Sequence, residues 1–185
     1  LRREERLYIP SVQAVFDISM DDVARHRALG ARVTGWVPPF VELSAAMPEV
    51  DSAGEAPTLL FVGALFTVNN QEGLRWMLKN VWPRLSAADK RLRLCIVGSR
   101  PPKWLMRLCS RSDRVQVVAD VDDVGSWYRR ALVFVNPVWH GSGLNMKNVE
   151  AISHGIPVVT TKKGARGLGL QDGVHVLVAN TPEAF

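Results

Sequence analysis

Thr58-Leu59-Leu60-Phe61-Val62-Gly63, a helical stretch from about Asn70 to Leu85, and then Leu92-Arg93-Leu94-Cys95-Ile96-Val97-Gly98 form the passage on which the fold turns. The two flanking runs are short and mostly apolar, and each is followed at once by glycine. A strand with one wet face alternates apolar and polar residues. A continuous apolar run needs cover on both faces, which a parallel sheet with helices above and below it supplies. The unit then repeats downstream: a helix from about Pro102, a strand at Arg114 to Val118, a helix at Val124 to Arg130 and a strand at Ala131 to Val135. A helix from Gly143 to His154, a strand from Ile156 to Thr160 and a last strand from Val174 to Val178 complete the series. Residues 58–185 are therefore expected to be an α/β domain built on a doubly wound parallel sheet.

Upstream the pattern is thinner. Ala14 to Ile18 reads as a strand, Asp21 to Leu29 as a helix with Asp21 and Asp22 at its positive end and Gly30 closing it, and Arg32 to Val37 as a second strand. Residues 42–57 hold two prolines, a glycine and four acidic residues with no sustained apolar period, the composition of a linker. Residues 1–41 are then the tail of a preceding domain. Thr181-Pro182-Glu183 has the order of a helix start, and the chain reads as a piece of something longer.

The 185 residues are 47% apolar and 22% charged, an ordinary globular balance, with 23 Lys and Arg against 18 Asp and Glu. The resulting charge of +5 favours phosphate in general, but the basic residues are scattered rather than blocked as in a nucleic-acid-binding arm. Cys95 and Cys109, without a CxxC or a Cys/His cluster, are expected to be buried thiols in a reducing compartment, which points to the cytosol. No run approaches the ~18–20 apolar residues of a membrane span, and the start lacks a signal peptide's apolar segment.

Chemistry concentrates in His140-Gly141-Ser142-Gly143-Leu144-Asn145-Met146-Lys147-Asn148-Val149-Glu150, which passes from a strand through two glycines into a helix. Glycines admit an anion close to the backbone, and the first turn's unpaired N–H groups favour it. Lys147 sits at the helix's positive end, where a cation is unfavourable unless an anion is nearby, so its placement suggests a diphosphate. The plain alternative is a surface pair between Lys147 and Glu150 three residues on. Met146, Val149 and Ile152 are expected to form the core-facing stripe, and His154 to be a packed helix-end histidine. Gly63 and Gly98 could equally serve as tight strand exits. The string GxxxxGK[ST] is absent. Gly141-Ser142-Gly143-Leu144-Asn145-Met146 fails the dinucleotide fingerprint at its last position, so NAD is disfavoured, and neither HExxH nor GxSxG occurs.

The ordered segments Asn136-Pro137, Gly141 to Lys147, Glu150-Ala151, Gly155-Ile156-Pro157 and Thr160-Thr161 resemble the donor-binding segment of GT-B glycosyltransferases of the retaining, family 4-like group. The likeness extends through Phe61-Val62-Gly63, Asn70, Trp82-Pro83-Arg84-Leu85 and Ile96-Val97-Gly98-Ser99 to Gly164-Ala165-Arg166-Gly167-Leu168. It implies the Rossmann-like C-terminal half of a GT-B fold, with residues 1–41 as a remnant of the acceptor-side domain. It also implies a nucleotide-diphosphate sugar as donor substrate, a glycan or lipid-linked acceptor, no cofactor, no metal and no nucleic acid. The setting it implies is cytoplasmic, with peripheral association at the inner membrane face. Lys147 matches the residue that contacts the donor diphosphate, and Glu150 the second glutamate of a Glu-x7-Glu pattern, which grips the ribose. Gly63, Asn70, Gly141, Ser142, Gly143 and Asn145 complete the expected donor-binding set, and no catalytic residue is identified within the chain.

Three positions depart from the pattern. Ser142 replaces the first glutamate, Ala64 stands where a basic residue often follows Gly63, and Asn145 where a second Lys or Arg is common. A catalytically degenerate nucleotide-sugar-binding relative and a basic polyanion-binding interaction domain are the alternatives. The Trp76, Trp82, Trp104, Trp127 and Trp139 side chains are spread over separate segments, which favours packing over a base-stacking platform.

Overall fold

Six parallel strands carry the fold of residues 56–185. In a computed structural model, which describes residues 2–42, 56–141 and 143–185, these are β3 (Thr58–Val62), β4 (Arg93–Gly98), β5 (Val115–Ala119), β6 (Val133–Asn136), β7 (Val158–Thr160) and β8 (Leu177–Val178). They lie in the order β5-β4-β3-β6-β7-β8, every neighbouring pair parallel. The helices between them are α3 (Val68–Trp76), α4 (Trp82–Ala88), α5 (Lys103–Cys109), α6 (Gly125–Arg129), α7 (Met146–Ser153) and the short α8 (Lys162–Ala165). The expected doubly wound sheet is what forms.

The period of two sorts the strand residues into two cores. Leu59, Phe61, Leu94 and Ile96 pack to one face with Leu65, Leu74, Met77 and Leu105. Leu60, Val62, Cys95 and Val97 pack to the other with Tyr128, Phe134, Ala151 and Val158. Because both faces are covered, the strands carry no polar side, which is why they read as unbroken apolar runs. The cysteines lie within these cores, where burial pushes Cys95 up to about 12 and Cys109 up to about 11, so neither is a thiolate at neutral pH.

The expected helix from Asn70 to Leu85 is one continuous rod that widens to a π-helix over Met77–Val81 between α3 and α4. Pro83 explains the widening: it has no N–H for the carbonyl four residues back, and its ring crowds that turn. The last strand is shorter than expected. The chain turns at Gly173 (φ +73°) and is bridged by Asp172 to Val176 before β8 begins. Residues 181–184 form a turn in which Thr181 Oγ1 accepts from Ala184 N, as an N-cap does.

Upstream, α1 (Arg2–Tyr8), which the pattern did not suggest, precedes β1 (Val15–Asp17), α2 (Met20–Ala28) and β2 (Thr34–Trp36). β1 and β2 pair in parallel, and Ser19 caps α2 by accepting from Asp22 N. This small unit docks through Met20 N, which donates to Gly167 O at 3.0 Å, and through an Arg166–Asp21 ion pair. Nearly all of the expected linker lies outside the described residues.

Candidate functional site

In the sheet order the chain leaves β3 toward β4 on one side and later returns to β6 on the other. The strand order reverses between β3 and β6, and the loops beyond their carboxyl ends flank this switch point, the usual ligand position of an open α/β sheet. Gly63 follows β3, Pro137 to Gly141 follows β6, and α7 starts beside both.

Lys147, on the first turn of α7, lies against the loop after β3. Its Nζ donates to Asn70 Oδ1 at 2.5 Å and lies 4.7 Å from the centroid of the Phe61 ring. Asn70, on α3, also donates from Nδ2 to Ala64 O at 2.9 Å. A Cβ on Gly63 would come within 3.1 Å of Lys147 Nζ and 2.9 Å of Asn70 Nδ2, so glycine is what lets the loop lie against both. Burial pushes the Lys147 ammonium down to about 8 from its ordinary 10.5, and the nearby Glu150 carboxylate opposes part of that.

The helix expected from Gly143 begins at Met146 instead. Asn145 takes the N-cap position at φ −89°, ψ 76° and makes no side-chain cap bond. Gly141 has φ +123°, and a Cβ there would meet Asn69 Nδ2 at 2.8 Å, so glycine is what this turn of the chain admits. Gly143 faces open space, and Ser142 lies outside the described residues. In the first turn Asn148 N is already bonded to Asn145 O, so the amides of Met146 and Lys147 are the ones left for a ligand.

The core-facing stripe is also corrected. Asn148 and Ala151 are fully buried, Met146 and Val149 are half-buried, and Ile152 is 36% exposed. Ala151 allows close approach to the sheet, and Asn148 has a polar pocket waiting: it accepts from Asn136 Nδ2 at 2.8 Å and donates to Gly164 O at 2.9 Å. These partners on β6 and α8 set the helix's rotation, and sequence reasoning missed them because only the fold brings them together.

Glu150 is exposed one turn along α7 and accepts from Tyr128 OH at 3.3 Å. The tyrosine is raised by burial and then by Glu150 itself, so it stays a donor. His154 stacks on Tyr128 at 4.7 Å, and burial and Arg129 lower it against the pull of Glu150 and Asp123. It is a packed helix-end histidine, as expected. Lys147 therefore bonds Asn70 rather than pairing with Glu150, leaving the carboxylate's outer edge open. Just past β4, Arg100 covers the Phe66 ring at 3.5 Å, a contact that no sequence signal announced. Among the described residues, no group of three or more His, Cys, Asp and Glu could hold a metal ion, and no helix is long and apolar enough to cross a membrane.

Residues 56–185 match the family described as glycosyl transferases group 1. The chain belongs to that family. An uncharacterized 44.6 kDa protein in the cps region of Klebsiella pneumoniae is 30% identical over 134 residues, 69% of this chain and 34% of that protein. The fold of this chain is shared with HepE of Anabaena in complex with UDP, at TM-score 0.75 and 16% identity over 97% of this chain and 53% of that one. WaaG, a glycosyltransferase involved in lipopolysaccharide biosynthesis, matches at TM-score 0.61 and 18% identity over 83% of this chain and 45% of its own. The chain thus spans about a third to a half of these relatives and carries the C-terminal, Rossmann-like half of a GT-B fold.

Proposed function

We propose that this chain is the donor-binding half of a retaining glycosyltransferase, which moves a sugar from a nucleotide-diphosphate sugar to a glycan or lipid-linked acceptor in the cytoplasm, at the inner membrane face. The observation that carries the reading is the placement of Lys147 beside Gly63 at the β3/β6 switch point, with the Glu150 carboxylate exposed one turn away. A carboxylate grips two ribose hydroxyls well, because charge-assisted hydrogen bonds are the strong ones. HepE has been solved in complex with UDP-glucose, which supports the same donor class here. When the sugar–oxygen bond breaks, the diphosphate leaves with its charge. Lys147 and the amides of Met146 and Lys147 meet that charge without a metal or other cofactor. The group that faces the anomeric carbon comes from the other domain, so the chain alone binds donor and does not transfer sugar.

Calorimetric titration with UDP, GDP, ADP and NAD tests this. One nucleoside diphosphate is expected to bind selectively and to lose about 10-fold or more on Glu150→Ala, the scale of one or two charge-assisted bonds. Equal, steeply salt-dependent binding of any polyanion would instead indicate the interaction-domain reading. Ala64 and Ser142 favour a second reading, a degenerate binding subunit. Absence of sugar transfer by a complete enzyme carrying this half, despite tight donor binding, would establish it.

A pH signature follows from the lysine. An anion on Lys147 returns its ammonium toward its ordinary value, so between about 8 and 10.5 binding takes up a proton, and affinity falls as pH rises above about 8. Titrations at pH 9 in buffers of different ionisation enthalpy should read this uptake, and identical heats would refute it. In the same window the unfolded chain holds the proton that the folded chain has lost, so the unliganded protein gains stability as pH rises.

A further inference from the structure

We infer that Asn70 is a positioning residue, one that fixes the Lys147 ammonium for the donor diphosphate without touching the donor itself; this rests on the donor reading above. The family resemblance placed Asn70 among the donor contacts, but its geometry is that of a bridge. It is 8% exposed, and both ends of its amide are engaged within the protein: Nδ2 donates to Ala64 O at 2.9 Å and Oδ1 accepts from Lys147 Nζ at 2.5 Å. One small side chain thereby ties the β3–α3 loop to α7. Thr67 Oγ1 also donates to Ala64 O, at 3.0 Å, so the carbonyl that anchors the bridge is itself held.

A lysine ammonium is a point charge on a flexible stem, and its place is set by its partners. The partners here are an amide oxygen and the face of Phe61, and neither carries a charge. That choice matters. A carboxylate at position 70 would hold the ammonium as firmly and cancel it, whereas the amide holds it and leaves its charge for the arriving anion. Gly63 leaves room for the arrangement, because a side chain there would press on both members of the pair.

The test uses the chain with isotope-labelled lysine, Lys147 followed by NMR without ligand, and UDP, GDP and ADP titrated by calorimetry. Asn70→Leu removes the acceptor and Asn70→Asp replaces it with a charged one. The Lys147 titration midpoint is expected to move down in the first and up by about one pH unit or more in the second. Both variants are expected to bind the preferred nucleoside diphosphate about 10-fold or more weakly, with the tightest binding in the wild type. Midpoints that stay put or move together, with only the melting temperature changed, would overturn the proposal and leave Asn70 a structural residue. Opposed midpoints in a chain whose wild type binds none of the three nucleotides would overturn the donor reading alone, with Asn70 still the residue that holds Lys147.

Discussion

Replacing Lys147 with methionine is expected to remove most of the affinity for a nucleoside diphosphate while leaving the melting temperature unchanged or slightly raised. The two effects separate because the lysine is a cost to the fold and an asset to the site. Its ammonium is desolvated enough to be pushed down to about 8, and Met keeps the apolar stem against Phe61 without that penalty. Asn70 Oδ1 loses its donor, an opposing cost of about 1 kcal/mol. Binding loses a charge-assisted bond of roughly 1.5–3 kcal/mol, which is about 10- to 100-fold in affinity. In a complete enzyme turnover should fall further, by about 100- to 1,000-fold, because the leaving diphosphate gains charge only as the bond breaks. Calorimetry and thermal melting on the same two samples check this. A large melting loss with unchanged affinity would show Lys147 to be a structural residue.

The largest stability effect is expected at Asn148, a residue that touches no proposed ligand. Asn148→Leu fits the volume but orphans Asn136 Nδ2 and Gly164 O in a pocket where Asn136, Asn148 and Thr160 are all fully buried. Asn136 Oδ1 already lacks a partner, so the whole amide would be stranded. Each orphaned group costs about 1–3 kcal/mol, for a total of about 3–5 kcal/mol out of a typical 5–15. The urea midpoint should drop with little change in slope. Adding Asn136→Leu should recover part of the loss, since replacing both partners with apolar groups removes the orphan. A double variant as unstable as the sum of the two single variants would show that the pocket acts through packing alone.

These two asparagines show how unevenly the site could be read along the chain. Lys147 and Glu150 were visible because their chemistry is local: a cation at the start of a helix behind two glycines, and a carboxylate one turn on. The rotation of α7 was not visible. Met146, Val149 and Ile152 have the right spacing for a buried stripe, and in an eight-residue helix nothing local distinguishes that phase from the one through Asn148 and Ala151. The choice was made by Asn136 on β6 and Gly164 on α8, which supply hydrogen bonds that an apolar residue could not use. The start of α7 also lies later than the expected Gly143: Asn145 takes the N-cap position and the helix begins at Met146.

The doubly wound sheet of residues 58–185 was written in the chain because strands buried on both faces must be apolar at every position, and such runs alternating with helices admit few other arrangements. Lys147 and Glu150 stood out there as candidates too, since charge and glycine spacing survive without knowledge of neighbours. Folding alone set Lys147 against Asn70 and Phe61, far apart in the chain, and turned α7 onto a buried polar network. Contacts between distant segments depend on how the sheet orders its strands, so the pattern within any one segment carries no record of them.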